Sequence, residues 1–427
     1  MTLTRILNTP PVRAWIASPA PGGPAGRYLT NPGAFTSHLA HLLLALLAHY
    51  GPVAGPLLAA AIAGILAGRM WLHRSQHAAF TAAARSVTVL APPQVGPGGA
   101  DALWGHLTGL LRPPWARLWH GQPHLGWEYA WAGGTTAGLA IRLWVPGTIP
   151  PGLIERAAEA AWPGAHTRTA PASPPLPPGA LTAGGTLRLA RPEILPLSTG
   201  HDLDAPLRAL AGAAAGLGDG EHAILQVLAR PVTGARLRKA RRAARKQRAG
   251  QPARLTSRLL DLASPGGHAR SGSGRAASRS DPELAAEIRE TTGKLASPQW
   301  ETLIRYGVAT TAAPAPAGAG RWQARAATAQ QAARLRGLAH ALASATALYT
   351  GRNWLARRHL RRAAAAIASR RLPRGDLLSV AELAAIARLP SDPALPGLAR
   401  AGARAVPPSP AIPVPGPHTR PLGVSDA

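Results

Sequence analysis

From Thr36 to Gly68 the chain carries no Asp, Glu, Lys or Arg. Its centre reads HLLLALLAHYGPVAGPLLAAAIAGILAG (His41–Gly68). At 1.5 Å per residue, about 20 apolar residues cross a bilayer, so the run is long enough to span with tilt or a kink. Pro52 and Pro56 are tolerable in such a helix because neighbouring groups re-satisfy the freed carbonyls. RMWLHR (Arg69–Arg74) then supplies an interfacial Trp and cationic anchors. A secretory signal is a poor fit, with about 40 residues ahead of the apolar core. The rival readings are a buried globular helix and a hairpin of two short spans divided at Gly51-Pro52. Arg5, Arg13 and Arg27 precede the run. Arg69, Arg74, Arg85 and a very basic body follow it. The positive-inside rule therefore favours a single pass with the body on the cytoplasmic side of the cell membrane.

That body shapes the remaining expectations. Lys and Arg total 47 against 19 Asp and Glu, a formal net charge of +28, and only Lys239, Lys246 and Lys294 are lysines. A coding bias toward Arg, Ala, Gly and Pro explains such an excess equally well, but not where the arginines cluster. Charge of this size attracts polyanions, either nucleic acid or an anionic membrane face. Cysteine is absent, so disulfides and thiolate metal sites are excluded.

The pattern after the apolar run is mixed, predicting an α+β body. RSVTVLAPP (85–93) reads as a strand. GADALWGHLTGLLRP (99–113) reads as a helix with Asp101 as candidate N-cap. LGWEYAWAG (125–133) and GLAIRLWVPG (138–147) alternate as hairpin strands around Gly-Gly-Thr-Thr. PPGLIERAAEAAWPG (150–164) is helical, and AHTRTAPA (165–172) can form a last strand. The order over 83–172 is β-α-β-β-α-β, the ferredoxin-like arrangement. Residues 173–184 read as a Pro-rich linker. A second α+β domain, 185–390, is expected to be a larger relative of the first, with basic helices as an insertion. Its elements are a strand over 185–192, a helix over 204–217 capped by Asp204, strands over 222–232 and 300–312, and a helix over 323–349. Residues 264–280 are low in complexity and expected to be disordered. Residues 1–35 form an N-terminal tail and 391–427 a Pro-rich tail.

Chemistry is hard to find. No GxxxxGK[ST], HExxH or GxSxG occurs. His120 and His124 are separated by helix-breaking Gly-Gln-Pro and read as loop residues rather than metal ligands. GDGEH (218–222) groups Asp219, Glu221 and His222, but reads as the turn from a helix into a strand. Catalysis needs a nucleophile or metal with an orienting partner, so the expectation is a non-enzyme with no cofactor.

The basic stretches are the stronger signal. ARLRKARRAARKQRAG (235–250) carries Arg236, Arg238, Lys239, Arg241, Arg242, Arg245, Lys246 and Arg248 and no acid. These cations are expected to surround a helix, with no acid at i,i+4 to relieve their repulsion. From Thr302 to Gly375 there is again no acid. There RNWLARRHLRR sets Arg352, Trp354, Arg357, Arg358, Arg361 and Arg362 close together. Arginine–phosphate contacts give sequence-independent, salt-sensitive affinity, and Trp354 is placed to stack on a base. The alternatives are inert basic helices and nonspecific contact with anionic lipid. Trp104, Trp115, Trp119, Trp127, Trp131 and Trp144 all fall in the first soluble domain. Core packing is the default for them and a docking surface the alternative.

Seven segments in order carry a resemblance: SVTVLAPPQV, GQPHLGWEYAW, IRLWVPGTIPPGLIERAAEAAWPGA, LGDGEHAILQVLARPVTG, ALYTGRN, LLSVAELAAIARLP and PLGVSDA. Over most of Arg69–Ala427 the chain resembles the region before the motor in actinobacterial conjugative, type IV secretion-like DNA-translocating ATPases. These are HerA/FtsK-type relatives of coupling proteins. SVAELAAIARLP (379–390) is similar to an element such ATPases carry shortly before the motor. The resemblance implies a membrane anchor, contact with DNA, a motor domain or chain as partner and assembly in a ring, commonly of six. It implies that ATP chemistry lies beyond Ala427 or on a separate chain. No catalytic residue carries over.

Overall fold

The computed structural model describes residues 32–134, 138–200, 202–248, 282–312, 320–393 and 395–401. The expected tail before residue 32, the insert 264–280 and residues 402–427 lie outside these. The chain divides into two compact units, meeting between Ser75 and Gln76. The first holds most of α1 (Pro32–Thr81), which is helical without interruption past Pro52 and Pro56. Among the described residues, Gly55–Thr81 is long and apolar enough to cross a membrane, and its apolar stretch is not buried. Leu57, Leu58, Ile62, Ile65, Leu66 and Trp71 are all exposed. A globular core helix would have buried them.

The second unit is built on antiparallel sheet. Its strands are β1 (Arg85–Leu90), β2 (Leu125–Ala132), β3 (Gly138–Val145), β4 (His166–Pro171), β5 (Leu181–Leu189), β6 (Glu221–Val232), β7 (Gln299–Thr310), β8 (Leu355–His359) and β9 (Asp376–Ser379). Eight run in the order β4-β1-β3-β2-β6-β7-β5-β8, and β9 pairs with β7. All these pairings are antiparallel. β9 and β5 share one edge of β7 in tandem: β9 takes Gln299–Thr302 and β5 takes Ile304–Thr310.

The helices fill the crossovers. They are α2 (Gly99–His106), α3 (Pro114–His120), α4 (Leu153–Ala161), α5 (Ala205–Ala214), α6 (Ala235–Arg248), α7 (Pro282–Ala296), α8 (Arg321–Ala345), α9 (Ala363–Ala368) and α10 (Val380–Ile386). Over 83–172 the order runs β1, the two helices α2 and α3 where one was expected, β2, β3, α4 and β4. A second set runs β5, α5, β6, the helices α6 and α7, β7, α8 and β8. Counted one to four within each set, the strands lie 4-1-3-2 and then 2-3-1-4, and the sets join where β2 pairs with β6. The two expected domains thus share one sheet and one core. β5 begins at Leu181, inside the stretch expected to be linker.

Strand alternation sorts the sheet into two faces. One face carries Trp127, Tyr129, Leu139, Ile141, Leu143, Leu225, Val227, Ile304 and Val308. It packs under residues of α2, α4, α5, α8 and α10. Trp104, Trp127, Trp144, Trp162 and Trp300 are fully buried. Trp104 lies 5.2 Å from Trp300 and 6.2 Å from Trp127, ring centre to ring centre. The opposite face carries a paired row: Arg142, Glu128, Gln226, Arg305, Thr186 and Arg358. At its centre Glu128, Gln226 and Arg305 are buried, and Arg370, just after α9, pairs with Glu128.

Two expected caps do not form. Asp101 sits in the first turn of α2, whose N-cap is Gly98. Asp204 occupies the N-cap of α5 but accepts no capping bond; its carboxylate accepts from Ser391 instead. Part of the expected tail also joins the body: Leu395 is buried, and Leu398 and Arg400 bridge to Leu139 and Ala91.

Candidate nucleic-acid interface

α6 forms because Gly234, at φ 80°, turns the chain off β6, and the Arg238 N–H then donates to its carbonyl. The cations do not surround this helix. Leu237, Ala240, Ala243 and Ala244 form a stripe packed against Ile194, Leu195, Leu295 of α7 and Leu377. Alanines make this stripe, and among arginines they carry too little apolar area to mark a face in the sequence. Arg238, Lys239, Arg241, Arg242 and Arg245 stand exposed around the rest of the helix. Lys246 and Arg248 lie in its last turn, and their side chains are outside the described residues.

Arg236 is committed internally. Its guanidinium pairs with Glu193 at 2.7 Å and with Glu301, and donates to the Gly375 carbonyl at 2.7 Å. Glu301 also takes Arg230 at 2.6 Å and the Gly375 N–H at 3.0 Å. Burial pushes the Glu301 carboxyl up, but Arg230, Gly375 and Arg236 outweigh it and hold it below the usual carboxylate range. Arg236 therefore fastens α6 to the sheet.

The second basic stretch is not a helix. Leu355–His359 is β8, at the end of the sheet, bonded to β5. Arg357 sits opposite Leu187, on the core-helix side, and contacts His340 of α8. Arg358 sits opposite Thr186, on the other face. Arg361 and Arg362 are exposed in the turn into α9, with Arg362 at φ 54°. Arg352 pairs with Glu283 at 3.1 Å and Glu290 at 3.4 Å, both on α7. Trp354 is 40% exposed, with the Arg191 guanidinium 5.3 Å over its ring. Asn353 beside it is buried and holds the 191–195 loop through Arg191, Pro192 and Leu195.

Two patches result. One is the outer side of α6. The other is the β8 edge with Arg357, Arg358, Arg361 and Arg362. Helix α7 links them, packing on α6 through Leu295 and holding Arg352 through Glu283 and Glu290. No acid among the described residues pairs with Arg238, Lys239, Arg241, Arg242, Arg245, Arg357, Arg358, Arg361 or Arg362. Such a surface can neutralise phosphates. Arginines on an exposed strand edge also discourage pairing with another sheet.

The other candidates resolve into structure. His124 is buried, its Nε2–H donating to the Arg370 carbonyl at 2.6 Å, and burial pushes its pKa down to about 3. His120 ends α3. Glu221 is clamped by Arg334 at 2.9 Å and by the Gly218 N–H at 2.7 Å, closing the GDGEH turn. Among the described residues no cluster of three or more His, Asp or Glu is arranged to hold a metal ion.

Sequence reasoning missed two features. The 379–390 segment is a core insert. The Ala387 carbonyl accepts from Trp104 Nε1, the Ala385 carbonyl from Tyr349, and Tyr129 bonds to both Ile386 and Arg388. The tryptophans also divide: Trp104, Trp127, Trp131 and Trp144 are buried, whereas Trp115 and Trp119 are 65% and 63% exposed. The available signal was PPWARLWH, where bulky apolar residues at i, i+3 and i+4 alternate with cations. No family model, curated protein or solved structure matches this chain.

Proposed function

We propose that the chain is the membrane-anchored, non-catalytic front portion of a conjugative, type IV secretion-like DNA-transfer ATPase system. In this reading α1 is a single span and the body is cytoplasmic, as the charge distribution favours. Each four-stranded set is a ferredoxin-like unit, the two joined edge to edge through β2 and β6. The exposed cations of α6 and β8 meet DNA phosphates without reading sequence. A motor domain or chain supplies ATP hydrolysis, and the bodies assemble as a ring around the DNA.

The observation that carries the reading is the set of nine exposed cations on α6 and around β8, free of acidic partners among the described residues. The rival is a membrane-tethered scaffold whose charge serves anionic lipid or protein partners. Full-length protein in nanodiscs of zwitterionic lipid separates them. Duplex DNA should bind at 50 mM salt and weaken log-linearly as salt rises. Absence of binding at 50 mM, or affinity indifferent to salt, would refute the DNA role and leave the scaffold.

A further inference from the structure

We propose that α3 is a second membrane contact, an interfacial helix seated in the anionic headgroup layer of the bilayer that α1 spans; it rests on the reading of α1 as an anchor. Trp115, Leu118 and Trp119 lie at i, i+3 and i+4 and so share one face. Each is 63–65% exposed, while the buried side chain of the helix is Ala116. A helix of a globular body turns its large apolar groups inward. This one is inverted, presenting two indoles and a leucine and burying a methyl group.

The inversion is held in place. Gln76 Nε2 donates to the carbonyls of Leu118 and Trp119, both at 3.1 Å. Arg112 Nη1 donates to the carbonyls of His120 and Gly121, both at 3.1 Å. Carbonyls at the end of the helix, which have no partner inside it, are thus satisfied by side chains. Gly121 is at φ 70°, and a Cβ there would meet Gln76 and Phe80 at 3.0–3.2 Å. The apolar face is therefore presented by a fixed scaffold.

Its location and charge name the occupant. Gln76 follows Trp71 by five residues and Arg74 by two, at the flank of the apolar run. From Ala102 to Trp127 there is no acid, and Arg112, Arg117 and His120 accompany the indoles. Indoles with cations on a short amphipathic helix suit an anionic lipid–water boundary.

The chain has no cysteine, so single labels are clean. A Trp119→Cys chain carrying an environment-sensitive fluorophore is compared with a Trp322→Cys chain. Trp322 is 83% exposed on α8. Full-length protein is reconstituted in vesicles of phosphatidylcholine with 30% phosphatidylglycerol, with and without lipid-borne quenchers. A blue shift and strong quenching at 119, with neither at 322, is the expected result. A label at 119 as wet as that at 322, in protein that resists carbonate extraction, overturns the α3 contact and spares the anchor. Shielding at 119 without quenching by lipid also overturns it, because protein then covers the face. If carbonate strips the chain, the anchor reading fails. The α3 contact, which rests on that reading, then falls with it.

Discussion

Replacing Glu128 by Gln tests how the two halves of the sheet are locked together. The Glu128 carboxylate accepts from Arg370 Nε at 2.7 Å, Arg370 Nη2 at 3.0 Å and Gln226 Nε2 at 2.8 Å. The two side chains of the ion pair are 1% and 7% exposed. Glu128→Gln keeps the volume but removes the charge, and sets an amide N–H₂ among three donors. Arg370 is left buried and unpaired, which costs about 3–5 kcal/mol. At about 2 °C per kcal/mol for a body this large, the midpoint should fall by roughly 6–10 °C. Glu128→Leu with Arg370→Met should recover most of the loss, since apolar replacement of a whole buried pair is often neutral or better. Gln226 would still donate to the Ile367 carbonyl at 3.1 Å. Thermal and urea melts of the full chain in nanodiscs measure all three. A single variant within about 1 kcal/mol of the parent, or a double variant no better than the single, would refute the reasoning.

Other consequences are simpler. Unfolded, His124 takes up a proton near pH 6.5, while folded it stays neutral to about pH 3. Between those values the unfolded state holds more protons, so stability should fall as pH drops, by up to about 1.4 kcal/mol per pH unit from this group. His124→Phe should flatten that part of a stability–pH curve. Tyr129→Phe strands the Arg388 N–H that donates to its hydroxyl at 2.9 Å, and should cost about 1–3 kcal/mol in a urea melt. Gly375→Ala sets a Cβ 2.3 Å from the Thr302 carbonyl oxygen, and should destabilise by about 1–3 kcal/mol.

What could be read from the sequence followed its periodicity. The uncharged run, the alternating strands Leu125–Ala132 and Gly138–Val145 and the amphipathic Leu153–Ala161 all announce themselves. The stripe on α6 did not, because Ala240 and Ala244 look neutral between arginines. β8 did not, because a polar edge strand lacks an apolar alternation and its arginines suit a solvated helix as well. Trp115 and Trp119 were indistinguishable by type from the buried indoles. Joining β2 to β6 is a long-range pairing with no local signature. Asp204 looked like a cap until Ser391, distant in sequence, claimed its carboxylate.

The salt dependence of DNA binding, compared between the parent and a variant neutralised on α6, tests the central claim most directly. Arg238, Lys239, Arg241, Arg242 and Arg245 are exposed, so Gln at all five positions should leave the melt close to that of the parent. If these side chains meet phosphates, the slope of log affinity against log salt should become shallower by about 0.9 for each phosphate no longer neutralised. Neutralising the Arg357, Arg358, Arg361 and Arg362 patch should lower it further. A folded variant with unchanged affinity and slope would contradict the assignment of α6 to DNA.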